Sequence, residues 1–548
     1  MNKFLCSLKI EQWLTYRFLR WAFRPIYGFL RWLFHAIFNW RTARRATLAI
    51  ATLATLIAVL YAIENWRGRR AWEQLKREME AQGERLDFAA FIPPVADDQN
   101  FAMAPIWRDV LEAYRLSTPV PTLFSVYPDF FRTRPRPSWG DFQKAKRPDL
   151  VGWQQFYRNL HAEAVSAAGK VPGLDSFPIP PEPGVPAEDV LIALSRFDEK
   201  LNELRAAARR PASRFPIHYE DGWKMALNHL GIIQKTSGFL QLRSLAELEL
   251  GRNDAALQDV QLNFRLIDSI RTEPTLISQL VRISMCPLMM STIWNGLASH
   301  RWTDAELLAL EQELRRLNWL SEYDLCREFE QVVPFQILDD MRATRNPTSG
   351  ELYGTGKLRD REMWARIFRV MPEGWFDQNK IQYVRATHRL GSPRADPSAN
   401  YVAIEDWSQR CARFLSESTA LRPYNFLAVP MSSWQPDVSM RFIRTEAFVR
   451  LARTACALER YRLAHESYPD SLAPLAPQFI EAVPRDVIGG GELKYRRTDD
   501  GRFVLYSIGW NGRDDGGEIV LWGSSKAPPE NRGIDPKEGD WVWKYPAD

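Results

Sequence analysis

Residues Ala46 to Ile63 read ATLAIATLATLIAVLYAI, an uncharged apolar run relieved only by Thr47, Thr52 and Thr55. At about 1.5 Å per helical residue the run covers roughly 27 Å, which matches a hydrocarbon core of about 30 Å once flanking residues help. One membrane span is therefore expected over 46–63, with Tyr61 and Trp66 at its far interface, where amphipathic rings favour the headgroup level.

The flanks orient the span. Upstream stand Lys3, Lys9, Arg17, Arg20, Arg24, Arg31, Arg41, Arg44 and Arg45 against the single acid Glu11, whereas downstream Arg67, Arg69, Arg70, Lys76 and Arg77 are matched by Glu64, Glu73, Glu78, Glu80 and Glu84. The positive-inside rule then sets the N-terminal side in the cytoplasm and exports the rest. The long pre-span segment and the lack of an A-x-A-like site after the run predict an uncleaved signal anchor. The aromatic stretch Trp13 to Trp40 does not qualify as a second span. Each arginine at mid-membrane costs about 2.5–3.5 kcal/mol, and each Phe or Leu returns only about 0.3–0.6. Arg17, Arg20, Arg24 and Arg31 instead form one helical stripe, as expected of an interfacial helix facing anionic headgroups or of a helix packed on a membrane partner.

The whole chain has 548 residues, 45% apolar and 25% charged, the ordinary balance of folded domains. Its 72 basic and 67 acidic residues leave only +5, so charge does not favour a nucleic-acid partner. Cys6, Cys286, Cys326, Cys411 and Cys456 make no CxxC and no disulfide framework, and are expected as buried small hydrophobes.

Beyond the span, Trp66 to Ala81 has helix-forming composition and is expected to extend outward as a stalk before Gly83. FIPPVADDQN (Phe91–Asn100) is a linker in which Asp97 and Asp98 serve turns, and VPGLDSFPIPPEPGVP (Val171–Pro186) marks a boundary. Helical segments follow. Thr303 and Glu306 form a capping box ahead of a buried Leu307, Leu310, Leu314, Leu317 stripe. Phe239 to Asp268 resembles a single tetratricopeptide unit, with Gly251 at its bend, although Arg243 and Glu247 stand where that repeat has apolar residues.

Familiar catalytic signatures are missing. GTGK at Gly354–Lys357 lacks the spacing of a phosphate loop, and no GxSxG, HExxH or GxGxxG occurs. His218 and His229, eleven residues apart, would lie some 16 Å from each other on one helix, too far to share a metal.

Near the C-terminus, Arg441 to Glu466 reads as a long helix with Phe448, Leu451, Ala455, Leu458 and Leu463 on its apolar positions. Strand-like runs Leu493–Arg497 and Arg502–Ser507 flank Asp500-Gly501, a strong hairpin signal. Tyr468, Pro469, Leu472, Leu475, Pro484, Asp486, Tyr495, Ser507, Gly509, Asp514, Gly516 and Gly517 recur in an order that resembles the globular tail of type II secretion pseudopilins. The likeness covers Leu451 to Glu518; the chain as a whole resembles long bacterial envelope proteins that end in this module. The resemblance implies a calcium-holding loop at Asp514 and Asp515. It departs in Val487, where the family has proline, and in the absence of an early-glutamate pilin helix, so polymerisation as a pilus subunit is not implied.

The expected architecture is mainly α. It comprises a basic aromatic segment (1–45), a single transmembrane helix (46–63), a stalk and proline-rich region (64–186), a helical-hairpin or solenoid-like body (187–436) and a small α+β module (437–548). The expected function is a membrane-anchored envelope scaffold binding a protein partner. The alternatives are an envelope enzyme whose site assembles only in the fold, and a secretion-apparatus component.

Overall fold

The computed structural model describes Phe29, Trp32 and residues 40–92, 94–108, 112, 137–166, 178–345, 365–394, 400–417, 424–428, 431, 435–522 and 532–546. It is mainly helical and divides into two units. The first contains residues up to Glu73 together with Val370–Gln378. Helix α1 (Trp40–Ala81) begins in it and has no proline to interrupt it. Leu48, Ile50, Leu53, Leu56, Leu60 and Ile63 are all exposed. The three threonine hydroxyls of the run each donate to the carbonyl one turn back, at Ala43, Leu48 and Ala51 (2.8–2.9 Å), so they need no outside partner.

The second unit holds the remaining described residues. Its N-terminal part carries α2 (Trp139–Gln143), α3 (Leu150–Ser166), α4 (Pro186–Leu194) and α5 (Asp198–Ala208). Helices α6 (His229–Glu249), α7 (Asn253–Ser269) and α8 (Leu276–Ala298) pack on one another. Gly251 turns the α6–α7 hairpin at φ +73°, and the amides of Gly251 and Arg252 close on the carbonyls of Leu248 and Glu247, which satisfies the helix end. Arg243, at an expected apolar position, instead pairs with Asp259 and Glu247. Helix α9 (Asp304–Arg315) opens on the Thr303–Glu306 capping box and buries Leu307, Leu310, Leu314 and the following Leu317. Helices α10 (Trp319–Glu330), α11 (Val333–Thr344), α12 (Glu373–Leu390) and α13 (Ile404–Glu417) follow; α12 starts in the first unit and ends in the second.

The core is built around α14 (Gln435–His465), which packs on α8, α9 and α10 and on two strands. It is buried on most of its circumference from Gln435 to Glu459; several of its polar members bond within the protein, while Gln435 Oε1 and Arg444 Nε are buried without a hydrogen-bond partner. Thr445 and Thr454 donate to carbonyls one turn back, and Glu446 takes hydrogen bonds from Arg450 and from the Trp319 amide that opens α10. Leu463 is exposed, because it lies on the side of the last turns that faces away from Phe479, on which Tyr461 and His465 pack.

Strands β1 (Lys494–Arg497) and β2 (Phe503–Ser507) form the antiparallel hairpin, and β5 (Trp541–Trp543) adds to the other side of β2. Strands β3 (Ile519–Trp522) and β4 (Gly533–Gly539) make a separate ribbon. Helix α2 is wedged in by rings: Trp139 stacks on Phe448 at 4.7 Å, and Phe142 meets Trp294 and Trp543 at 5.8 and 6.0 Å.

Candidate functional site

Among the described residues two helices are long and apolar enough to cross a membrane, and burial separates them. The apolar window of α1 has no buried residue, whereas that of α8 is 72% buried inside the second unit. Hydrophobicity in α8 is therefore used on the core; in α1 nothing among the described residues covers it. Tyr61 is half-buried and Trp66 is 63% exposed, both at the end of the run. Arg17, Arg20, Arg24 and Arg31 lie outside the described residues.

Just past Ile63, a segment some three hundred residues downstream docks on α1. The Tyr61 hydroxyl donates to the Val370 carbonyl. The Gly374 amide donates to Asn65 Oδ1 (2.9 Å), and Trp375 Nε1 donates to Glu64 Oε2 (3.0 Å). Gly68 and Gly374 let the two backbones touch: a methyl on either would collide with main-chain atoms of the other element. Nothing in the local sequence announces this pairing, because two lone glycines far apart carry no periodic signal.

The second unit contains a polar cavity of about 450 Å³ lined by Met79, the Gln82–Leu86 turn, Arg327, Glu328, Gln331, Val332, His388 and Gly391. His388 Nε2 lies 3.2 Å from Glu84 Oε1 and 2.9 Å from Gln331 Nε2, while Arg85 pairs with Glu328 on the same wall (2.7 Å). Arg327 Nε is buried without a hydrogen-bond partner. This is where the fold gathers titratable side chains that the sequence leaves scattered.

A second cluster is centred on a carboxylate closed to solvent, with partly exposed donors around it. Glu459, on α14, accepts from His300 Nδ1 (2.8 Å), from Arg462 through both Nε and Nη2 (3.0 and 2.7 Å), and from the Tyr468 hydroxyl (2.6 Å). Burial raises its pKa, but these donors outweigh burial and hold it at about 2. His300 adopts φ +52° beyond the end of α8, the left-handed conformation through which its ring reaches Glu459.

The other sequence candidates are kept apart. His218 pairs with exposed Glu220, and His229 is buried on Phe215 with its Nε2 on Glu273 (2.8 Å). Asp514 accepts from Tyr506, the Gly516 amide and Lys494, and Asp515 Oδ2 accepts from Asn511. Asp540 faces the same loop, taking the Gly517 and Asp515 amides; burial holds its carboxyl up at about 6. These carboxylates are engaged by their own turn, and no group of three or more acids, histidines or cysteines with metal-binding geometry occurs among the described residues. The six to eight oxygens calcium needs are not gathered there, so the donor set does not fit the ion. The linker acids Asp97 and Asp98 are exposed in a turn, and Gly354–Lys357 lies outside the described residues. Cys286, Cys326, Cys411 and Cys456 are buried and unpaired.

No known protein family, curated protein or solved structure matches the chain.

Proposed function

We propose that the protein is a membrane-anchored scaffold of the bacterial envelope. It crosses the inner membrane once through Ala46–Ile63, keeps its N-terminus in the cytoplasm beside anionic headgroups, and displays the helical body and pseudopilin-like tail outside to a protein partner. The observation that carries this reading is the contrast between α1, whose apolar window is wholly uncovered, and α8, whose window is core. An apolar helical surface of that length has no stable place in water. The test is protease added to spheroplasts carrying a tag after Asp548 or before Met1. Loss of the C-terminal tag with survival of the N-terminal one supports the reading; the reverse pattern, or recovery of the chain in the soluble fraction, refutes it. Crosslinking through residues 441–548 in intact membranes then identifies the partner, and secretion proteins among the products favour a secretion-apparatus component.

A second reading, an envelope enzyme or small-molecule binder, is favoured by the cavity that joins Glu84, His388, Gln331 and Arg327. Its test is a thermal-shift screen of small carboxylates and phosphates against the detergent-solubilised chain. Stabilisation that Arg327→Gln abolishes supports it, and a flat screen removes it.

A further inference from the structure

The segment docked on α1 exposes one apolar side chain at a telling height. Val370 is 66% exposed, whereas Met371 and Pro372, which complete the turn between helical residues 365–370 and α12, are buried. Its position along α1 is read from three contacts. Val370 is tied to Tyr61, inside the apolar run, whereas Gly374 and Trp375 are tied to Asn65 and Glu64, beyond it. Tyr61 and Asn65 are one turn apart, about 6 Å along the axis. The chain from Val370 to Gly374 thus climbs outward alongside the helix, with its lower end level with the last turn of the run. Helical side chains also lean towards the helix N-terminus, so the Tyr61 hydroxyl sits on the bilayer side of its own Cα.

We infer that Val370, at the head of this turn, is a second membrane contact, resting in the boundary between headgroups and acyl chains beside the span. Irregular backbone at that depth is tolerated only if its polar groups find partners within the protein. The Tyr61 hydroxyl supplies one to the Val370 carbonyl, and the Trp375 amide closes on the Pro372 carbonyl at 3.1 Å. Exposed Val370 then continues the uncovered apolar surface of α1, and Trp66, equally exposed, stands about 7.5 Å further out along the helix, beside the level of Gly374. The occupant is a lipid surface because exposed Val370 adjoins the apolar run itself. The inference rests on Ala46–Ile63 being the span.

The experiment places a nitroxide at Ile57→Cys, Val370→Cys or Gln82→Cys in the full chain with Cys6→Ser. The protein is reconstituted in phosphatidylcholine–phosphatidylglycerol vesicles, and collision with oxygen is compared with collision with a water-soluble nickel chelate. An oxygen-to-nickel ratio at 370 several-fold above that at 82 and below that at 57 is expected. Tyr61→Phe should lower the ratio at 370 and leave that at 57 unchanged; no change at 370 removes the tyrosine's part. A ratio at 370 equal to that at 82, with 57 still deep, overturns the inference alone. A ratio at 57 equal to that at 82 refutes the span, and this inference with it.

Discussion

Replacing Glu459 by glutamine removes the charge on which His300, Arg462 and Tyr468 converge. The carboxyl moves from an ordinary 4.5 to about 2, which corresponds to roughly 3 kcal/mol of folding stability at neutral pH. A depressed carboxylate contributes stability above its unfolded pKa and loses it as pH falls towards its folded one. The gap between wild type and Glu459→Gln is therefore full above about pH 4.5, about half as large at pH 3 and absent below about pH 2. The amide also turns a donor towards the guanidinium, while water reaching His300 and Arg462 screens the loss, so about 2–3 kcal/mol is expected at pH 7. Urea midpoints of the detergent-solubilised chain, read by tryptophan fluorescence at several pH values, measure the gap directly. Because other carboxylates titrate alike in both proteins, they cancel. A loss below about 1 kcal/mol at pH 7, or a gap unchanged between pH 6 and pH 3, refutes the assignment of Glu459 as the ion that fastens α14 to Tyr468.

Glu330 behaves oppositely. Burial pushes its carboxyl up to about 7 although it accepts the Leu276 amide that opens α8. Its folded form favours the proton, and the stability tied to it is lost as pH rises from about 4.5 to about 7, so Glu330→Gln should gain stability over wild type between about pH 4.5 and pH 8 in the same urea assay. Leu310→Ala, fully buried in the α9 stripe, should cost about 2–5 kcal/mol without changing the helical circular dichroism of the native state. Gly68→Ala should leave α1 helical but crowd Gly374 at a cost of about 1–3 kcal/mol, seen as faster amide exchange confined to 370–378. Calcium at about 1 mM should leave the melting temperature unchanged, in wild type and in Asp514→Ala alike; a rise that the variant loses would restore the loop as a calcium site.

What could be read from sequence were features whose physics is local. The apolar run, the Thr303–Glu306 box with its leucine stripe, and Asp500-Gly501 between alternating residues each carry their cause within a few positions. What escaped was set by distance. The docking of Val370 on Tyr61 spans 309 positions, and His300 on Glu459 spans 159, with no motif at either end. Strand β5 escaped because Trp541-Val542-Trp543 is too short to announce pairing with β2. Helix α14 starts at Gln435, six positions before Arg441, because polar residues such as Gln435 and Ser439 are buried there and hide the apolar pattern. The Glu84–His388 cavity was equally invisible, since its walls come from the turn after α1, from α10 and from the end of α12.

Helix α14 touches α8, α9 and α10 as well as β2 and β5, so body and tail share one wall. A chain ending before it would strip Trp319 of Phe442; a fragment beginning after it would keep the Val504, Tyr506 and Val542 cluster and the tyrosines around Phe503 but lose the helix on which β2 and β5 rest. Severed on either side of that helix, neither piece is expected to melt as sharply as the intact second unit.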